Sequence, residues 1–341
     1  MNIHSYLDIA HLDAQKFLET TDPGATLVLH PQRSMNVASV RAALQEIHLR
    51  VGTHVRVQTA MALYVHSKEL TALQHYFPVI GWLDPTLRQR WASLYAHYLV
   101  TTPLTIVYIG NRREPAPLAI RAMVVGHLVS CFISTPHVLA ALYETNPTFH
   151  ICADARAYAR IGGVGGGCYD ERTHCIMLEV SRLFEGYWQP IPGVCPFLHE
   201  LGHMLDGTHS RLSGGRRSIG DPPLLNDGQR AAWRTGKQTE VHRYRAYQHA
   251  GKIVEHAPLG HPYVFQTDGE FLAGYWEMFW RNPHAFGAHS PQLYDALMSY
   301  VGHDPRMYTV DYPGYVNGNR TFYGAGERAW PSQIRDEPTQ L

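Results

Sequence analysis

The chain has 341 residues with 29 basic and 29 acidic side chains, and charged residues make up 17% of it. That balance leaves no electrostatic footprint for nucleic acid or an anionic surface, and no run of about eighteen apolar residues suggests a membrane span. The five cysteines, Cys131, Cys152, Cys168, Cys175 and Cys195, are odd in number and form no C-x-x-C pair, which argues against a disulfide framework or a structural zinc cluster.

The first hundred residues show helical spacing over 37–49, 57–64 and 85–99, followed by a strand at 104–109. Arg112-Arg113-Glu114-Pro115-Ala116-Pro117 reads as a boundary. Helices are predicted over 121–128 and 136–143, then short strands at 148–153 and 174–179. The glycine run from Gly162 to Gly167 lies between those strands. A dinucleotide fingerprint needs a helix directly after it, and here Tyr169-Asp170-Glu171-Arg172 leads into another strand, so the run reads as a loop. The segment 168–180 is expected to be an edge strand that could hold an extended peptide by strand addition.

Next comes His199-Glu200-Leu201-Gly202-His203. Pro196 suits a first helical turn and Gly207 a left-handed stop, so a helix of about three turns is expected. Histidines four apart share one helix face, where both imidazoles can reach one metal ion, and Glu200 stands one step round as a general base. Leu198, Leu201 and Leu205 form an apolar stripe beside His199, His203 and Asp206. This is the pattern of a zinc peptidase helix.

Two histidines leave a catalytic zinc one protein ligand short. His209 has the metzincin spacing, but the turn glycine that pattern needs falls at Asp206, with Gly207 one place late. Glu240, on a helix expected over 229–250, has a longer spacing and reads as a solvated charge. Glu270 opens a run in which Ala273 and Gly274 are small enough for close helix approach, and Glu277 on the same face is either a ligand or a partner for a ligating histidine. Thr267-Asp268-Gly269-Glu270 also fits a capping box, in which Glu270 would fold back on Thr267 and bind nothing. Spacing alone leaves the two readings of Glu270 open.

The run from His199 to Asp206 resembles the active-site helix of the anthrax lethal factor peptidase domain and of the Mlc titration factor A family. In those families the third ligand is the first glutamate of a Glu-Phe-Phe-Ala helix, which corresponds here to Glu270-Phe271-Leu272-Ala273. Lethal factor also has an oxyanion-stabilising tyrosine seven residues earlier, which corresponds to Tyr263. Asn282-Pro283, Pro291-Gln292-Leu293-Tyr294 and Asp304-Pro305 are similar to the tail of the titration factor domain, so the resemblance spans roughly 125–305. Leu272, Gly274 and Tyr275 depart from the family runs, which bears on substrate class.

The resemblance implies an α+β, zincin-like domain of the gluzincin type, with a small twisted sheet beside the HExxH helix and a second, glutamate-bearing helix. It implies one Zn2+ per chain, held by His199, His203 and Glu270, with Glu200 and Tyr263 as catalytic residues. The expected organisation is 1–115, a mostly helical region of unassigned role; 116–305, the metallopeptidase domain; and 306–341, an irregular Gly- and aromatic-rich tail. The expected activity is endopeptidase or aminopeptidase cleavage of a peptide or protein substrate. The alternatives are a zincin-fold protein that sequesters a regulatory partner and a metzincin-like site using His209. No signal peptide is visible at Met1-Asn2-Ile3-His4, so cytoplasmic location is expected.

Overall fold

The computed structural model describes residues 26–30, 33–36, 73–74, 76–163, 165–184, 194–214, 220–250, 257–309, 314–324, 332 and 334. The helices expected over 37–49 and 57–64 lie outside these residues. In chain order the main elements are β1 (Thr26–His30), β2 (Arg33–Asn36), α1 (Pro85–Thr101), β3 (Leu104–Val107), β4 (Arg113–Pro115), α2 (Leu118–Phe132), α3 (Pro136–Glu144), β5 (Thr148–Cys152), β6 (Gly167–Asp170) and β7 (Cys175–Glu179). They are followed by α4 (Pro196–Leu212), α5 (Asp227–His249), α6 (Asp268–Arg281), α7 (Pro283–His289), α8 (Pro291–Val301) and α9 (Gly314–Gly324), with a 3-10 turn at Pro262–Phe265. The fold is therefore α+β, as expected. β1 and β2 form an antiparallel pair, and one small mixed sheet has the strand order β4, β3, β5, β7, β6. Within it β3 runs antiparallel to β4 and parallel to β5, in the register Leu104 to Phe149 and Val107 to Cys152.

The chain divides into two compact units, the first comprising Met1–Ile133, Thr148–Gly165 and Met177–Leu183. In this unit the Asp84 carboxylate accepts the Leu87 N–H at 2.9 Å and Pro85 occupies the first turn, which together start α1. Arg121 on α2 closes its other end. This buried guanidinium donates to the carbonyls of Leu99 (2.7 Å), Thr102 (2.9 Å) and Leu104 (3.4 Å), tying the end of α1 to the start of β3. Trp91, fully buried, stacks on Tyr95 and donates its indole N–H to Ser130 on α2.

The second unit comprises Ser134–Pro147, Gly166–Ile176 and Phe184–Leu341. Helix α5 opens with a complete capping box, Asn226 accepting from the Gln229 backbone at 2.8 Å and Gln229 from the Asn226 backbone at 3.1 Å. Gly302, at φ +79°, ends α8.

Three local expectations change. The segment 168–180 is not one strand: Asp170 accepts from the Arg172 backbone and the Thr173 hydroxyl and turns the chain, so β6 is an outer strand and β7 lies inside it. The tail holds a helix at Gly314–Gly324, where the sequence suggests no helical period. Its aromatics pack it down: Tyr323 meets Tyr247 edge-on with ring centroids 4.8 Å apart. Finally, α4 does not stop at Gly207 but runs to Leu212. Gly207 is there for space, since a Cβ on it would stand 1.8 Å from the Tyr169 hydroxyl.

Candidate metal centre

All the residues that concern the site lie in the second unit. Helix α4 starts at Pro196, whose missing N–H costs nothing in a first turn. The preceding Cys195 N–H is taken by Glu277 of α6, at 2.6 Å. From there His199 and His203 fall one turn apart on one face, with ring centroids 5.0 Å apart.

Helix α6 crosses α4 in close contact because of Gly202. A Cβ on Gly202 would lie 2.5 Å from the Ala273 Cα, so the small pair that brings the helices together is Gly202 with Ala273. This approach delivers Glu270. Thr267 caps α6 by accepting the Glu270 N–H at 3.1 Å. The Glu270 carboxylate does not complete a capping box; its Oε2 stands 3.2 Å from His199 Nε2 and 3.4 Å from His203 Nε2.

The ligand atoms of His199, His203 and Glu270 all lie within 4.8 Å of one another. Two ligands on a tetrahedral zinc, each at roughly 2.0–2.1 Å, stand about 3.3 Å apart, so this donor set fits such an ion. Two imidazoles and a carboxylate also suit zinc by type.

Around this trio the groups are arranged in sequence. Glu277 Oε2 lies 3.5 Å from His199 Nδ1, on the side of the ring away from Glu270. Glu200 is buried; burial raises its carboxyl pKa, and the carboxylates of Glu270 and Glu277 add to that against the lowering effect of His199 and His203. Burial also works against charge on His199 and Glu270. Their mutual hydrogen bond wins: with Glu277 it raises His199 to about 10, and with His203 it holds Glu270 well below the usual carboxylate range. Tyr263, from the 3-10 turn and partly exposed, donates its hydroxyl to Glu270 Oε1 at 2.7 Å. Burial and that carboxylate raise its pKa, and so do Glu200 and Cys168, which places the Cys168 thiol of β6 within electrostatic reach of the site.

The other candidates are placed elsewhere. His209 sits six residues beyond His203 on the same unbroken helix, about 240° round and 9 Å along, so it does not join the cluster. A metzincin-like site needs the chain to turn where α4 continues. Glu240 is not a solvated charge: it is fully buried, accepting hydrogen bonds from Tyr275 (2.6 Å), Ser290 (2.7 Å) and Arg243. The departure from the family run at Tyr275 is thereby explained, since its hydroxyl serves this carboxylate. Sequence reasoning missed the Cys195 to Glu277 bond and the approach of Cys168; the loop position of Cys195 carries no motif that would have signalled either.

The helix pair presents two histidines and a glutamate to one point, a donor set of the kind that can hold a metal ion. Residues 166–301 match the family model described as glucose-regulated metallo-peptidase M90. That match bears out the resemblance to the Mlc titration factor A family and covers both helices of the site. No curated protein matches the chain. Among the described residues no helix is long and apolar enough to cross a membrane.

Proposed function

We propose that the protein is a zinc-dependent peptidase in which His199, His203 and Glu270 hold the metal. The observation that carries this reading is the convergence of three ligand atoms of suitable type within 4.8 Å, beside a buried glutamate on the helix of the two histidines. When bound, zinc supplies a Lewis acid that lowers the pKa of water to roughly 7 and polarises a carbonyl oxygen.

The protein's own residues do the rest. Glu200 takes a proton from the water that attacks the scissile carbonyl and returns it to the leaving amine. Tyr263 turns its one O–H from Glu270 Oε1 to the carbonyl oxygen as negative charge develops there. Glu277 holds the His199 ring so that Nε2 faces the metal. β6, the outer strand of the sheet among the described residues, is the edge to which an extended peptide would add.

The test is a peptide library incubated with the protein before and after zinc chelation. Cleavage that disappears with the metal and returns on adding zinc is expected. Cleavage unaffected by chelation, or none by zinc-loaded protein, would overturn the reading.

A further inference from the structure

Tyr263 lies in the 3-10 turn Pro262–Phe265, whose Pro262, Val264 and Phe265 are buried, with Phe265 stacked on Tyr244; residues 259–261 lead into that turn outside any helix or strand. Residues 259–261 are gripped by the C-terminal helix α9, which lies beyond the residues matched by the family model. Asn319, buried, donates its side-chain N–H to the Leu259 carbonyl at 3.0 Å. Tyr323, also buried, donates its hydroxyl to the next carbonyl, that of Gly260, at 2.6 Å. Between them on the helix, Phe322 packs its ring 4.5 Å from that of His261. His261 Nδ1 in turn accepts the backbone N–H of Tyr263 at 3.1 Å. Three consecutive residues, 259 to 261, are thus each gripped by a different side chain of one helical turn.

The grip is anchored from behind and fitted in front. Tyr247 of α5 donates to the Tyr323 carbonyl at 3.2 Å, and its ring meets that of Tyr323. On the other side, a Cβ on Gly260 would lie 2.8 Å from Val264 and 3.1 Å from the Tyr275 hydroxyl, so the segment is pressed into the domain with no slack. The Tyr263 hydroxyl then reaches Glu270 Oε1 at 2.7 Å.

We infer that α9 is the positioning element for Tyr263: Asn319, Phe322 and Tyr323 fix residues 259–261 and so fix where the tyrosine hydroxyl points. The inference rests on the peptidase reading for its kinetic consequence, though not for its structural one. Donors of this kind act only when aimed within a fraction of an ångström, and losing one outright costs roughly 10²–10³ in kcat. A loosened segment costs part of that.

The experiment compares full-length Tyr323→Phe and Asn319→Leu proteins with the parent by two readouts. In the zinc-free proteins, amide hydrogen exchange over 257–265 should quicken while exchange in α4 and α6 stays unchanged. In the zinc-loaded proteins, kcat should fall about tenfold with KM unmoved. In a Tyr263→Phe background neither substitution should lower kcat further. Unchanged exchange in both variants, or a kcat loss that multiplies with that of Tyr263→Phe, would overturn the inference. Absence of turnover in the parent would overturn the peptidase reading instead, and the exchange measurement would still decide the positioning.

Discussion

One carboxylate, that of Glu277, serves both the backbone that starts α4 and the first imidazole upon it: Oε1 accepts the Cys195 N–H at 2.6 Å and Oε2 stands 3.5 Å from His199 Nδ1. A carboxylate on the distal nitrogen of a ligating histidine fixes its tautomer and raises its basicity. Glu277→Gln should therefore bind zinc about 10–100-fold more weakly while remaining folded. Competition against a chelator of known affinity measures this; an unchanged affinity would mean that Glu277 serves the helix start alone.

Glu200 approaches the site from the same helix as the histidines without joining the ligand cluster. Glu200→Gln should keep a full complement of zinc and lose hydrolysis by about 10²–10⁴-fold, the usual contribution of a positioned general base. Metal content and single-turnover rates on the same preparation check both halves, and a zinc-loaded variant that cleaves at the parent rate rules out the mechanism.

The third ligand can be decided by subtraction. Glu270→Ala should lose most zinc binding, whereas His209→Ala, altering a side chain six residues further along α4, should retain one ion per chain. Retention of tight binding by Glu270→Ala would move the site elsewhere.

Stability below neutral pH should depend on His174. The Thr145 hydroxyl donates to the Leu142 carbonyl at 2.6 Å, so its oxygen is left to accept from His174 Nε2 at 2.7 Å. Nδ1 then accepts from the Tyr169 hydroxyl, also at 2.7 Å. This neutral ring is buried, and burial, aided by the Arg211 charge, lowers its pKa from 6.5 to about 4. The unfolded chain thus binds a proton that the folded one refuses between those two values, so stability falls as pH drops from about 6.5 to about 4. At 1.36 kcal/mol per unit the loss is on the order of 3 kcal/mol. Urea unfolding midpoints between pH 7 and 4.5 should fall less steeply for His174→Gln; parallel curves would show that His174 does not carry the effect.

The helix pair was legible because its signals are local. Imidazoles four apart and a proline at the first turn need no tertiary knowledge, and the run after Thr267 announced a helix start whichever way Glu270 turned. What stayed hidden depends on what lies opposite. Gly207 reads as a stop because glycine readily takes the left-handed conformation that closes helices, yet its lack of a Cβ makes room for the Tyr169 hydroxyl, two elements away. Glu240 looked solvated on an otherwise polar helix, and only the positions of Tyr275 and Ser290 turn it into a buried acceptor. The 314–324 helix was invisible for a related reason. Its glycines and asparagines have poor helix propensity, and packing of Tyr323 and Asn319 against 259–260 holds it instead.

At the start of α6 the cap and the carboxylate have separate duties, Thr267 serving the backbone and Glu270 the site. The helix therefore does not rely on the chemistry it carries. On the proposed peptidase reading, a single substitution at 270 or 200 silences hydrolysis without dismantling the scaffold, so such an architecture allows a descendant to discard catalysis and survive as a partner-binding protein.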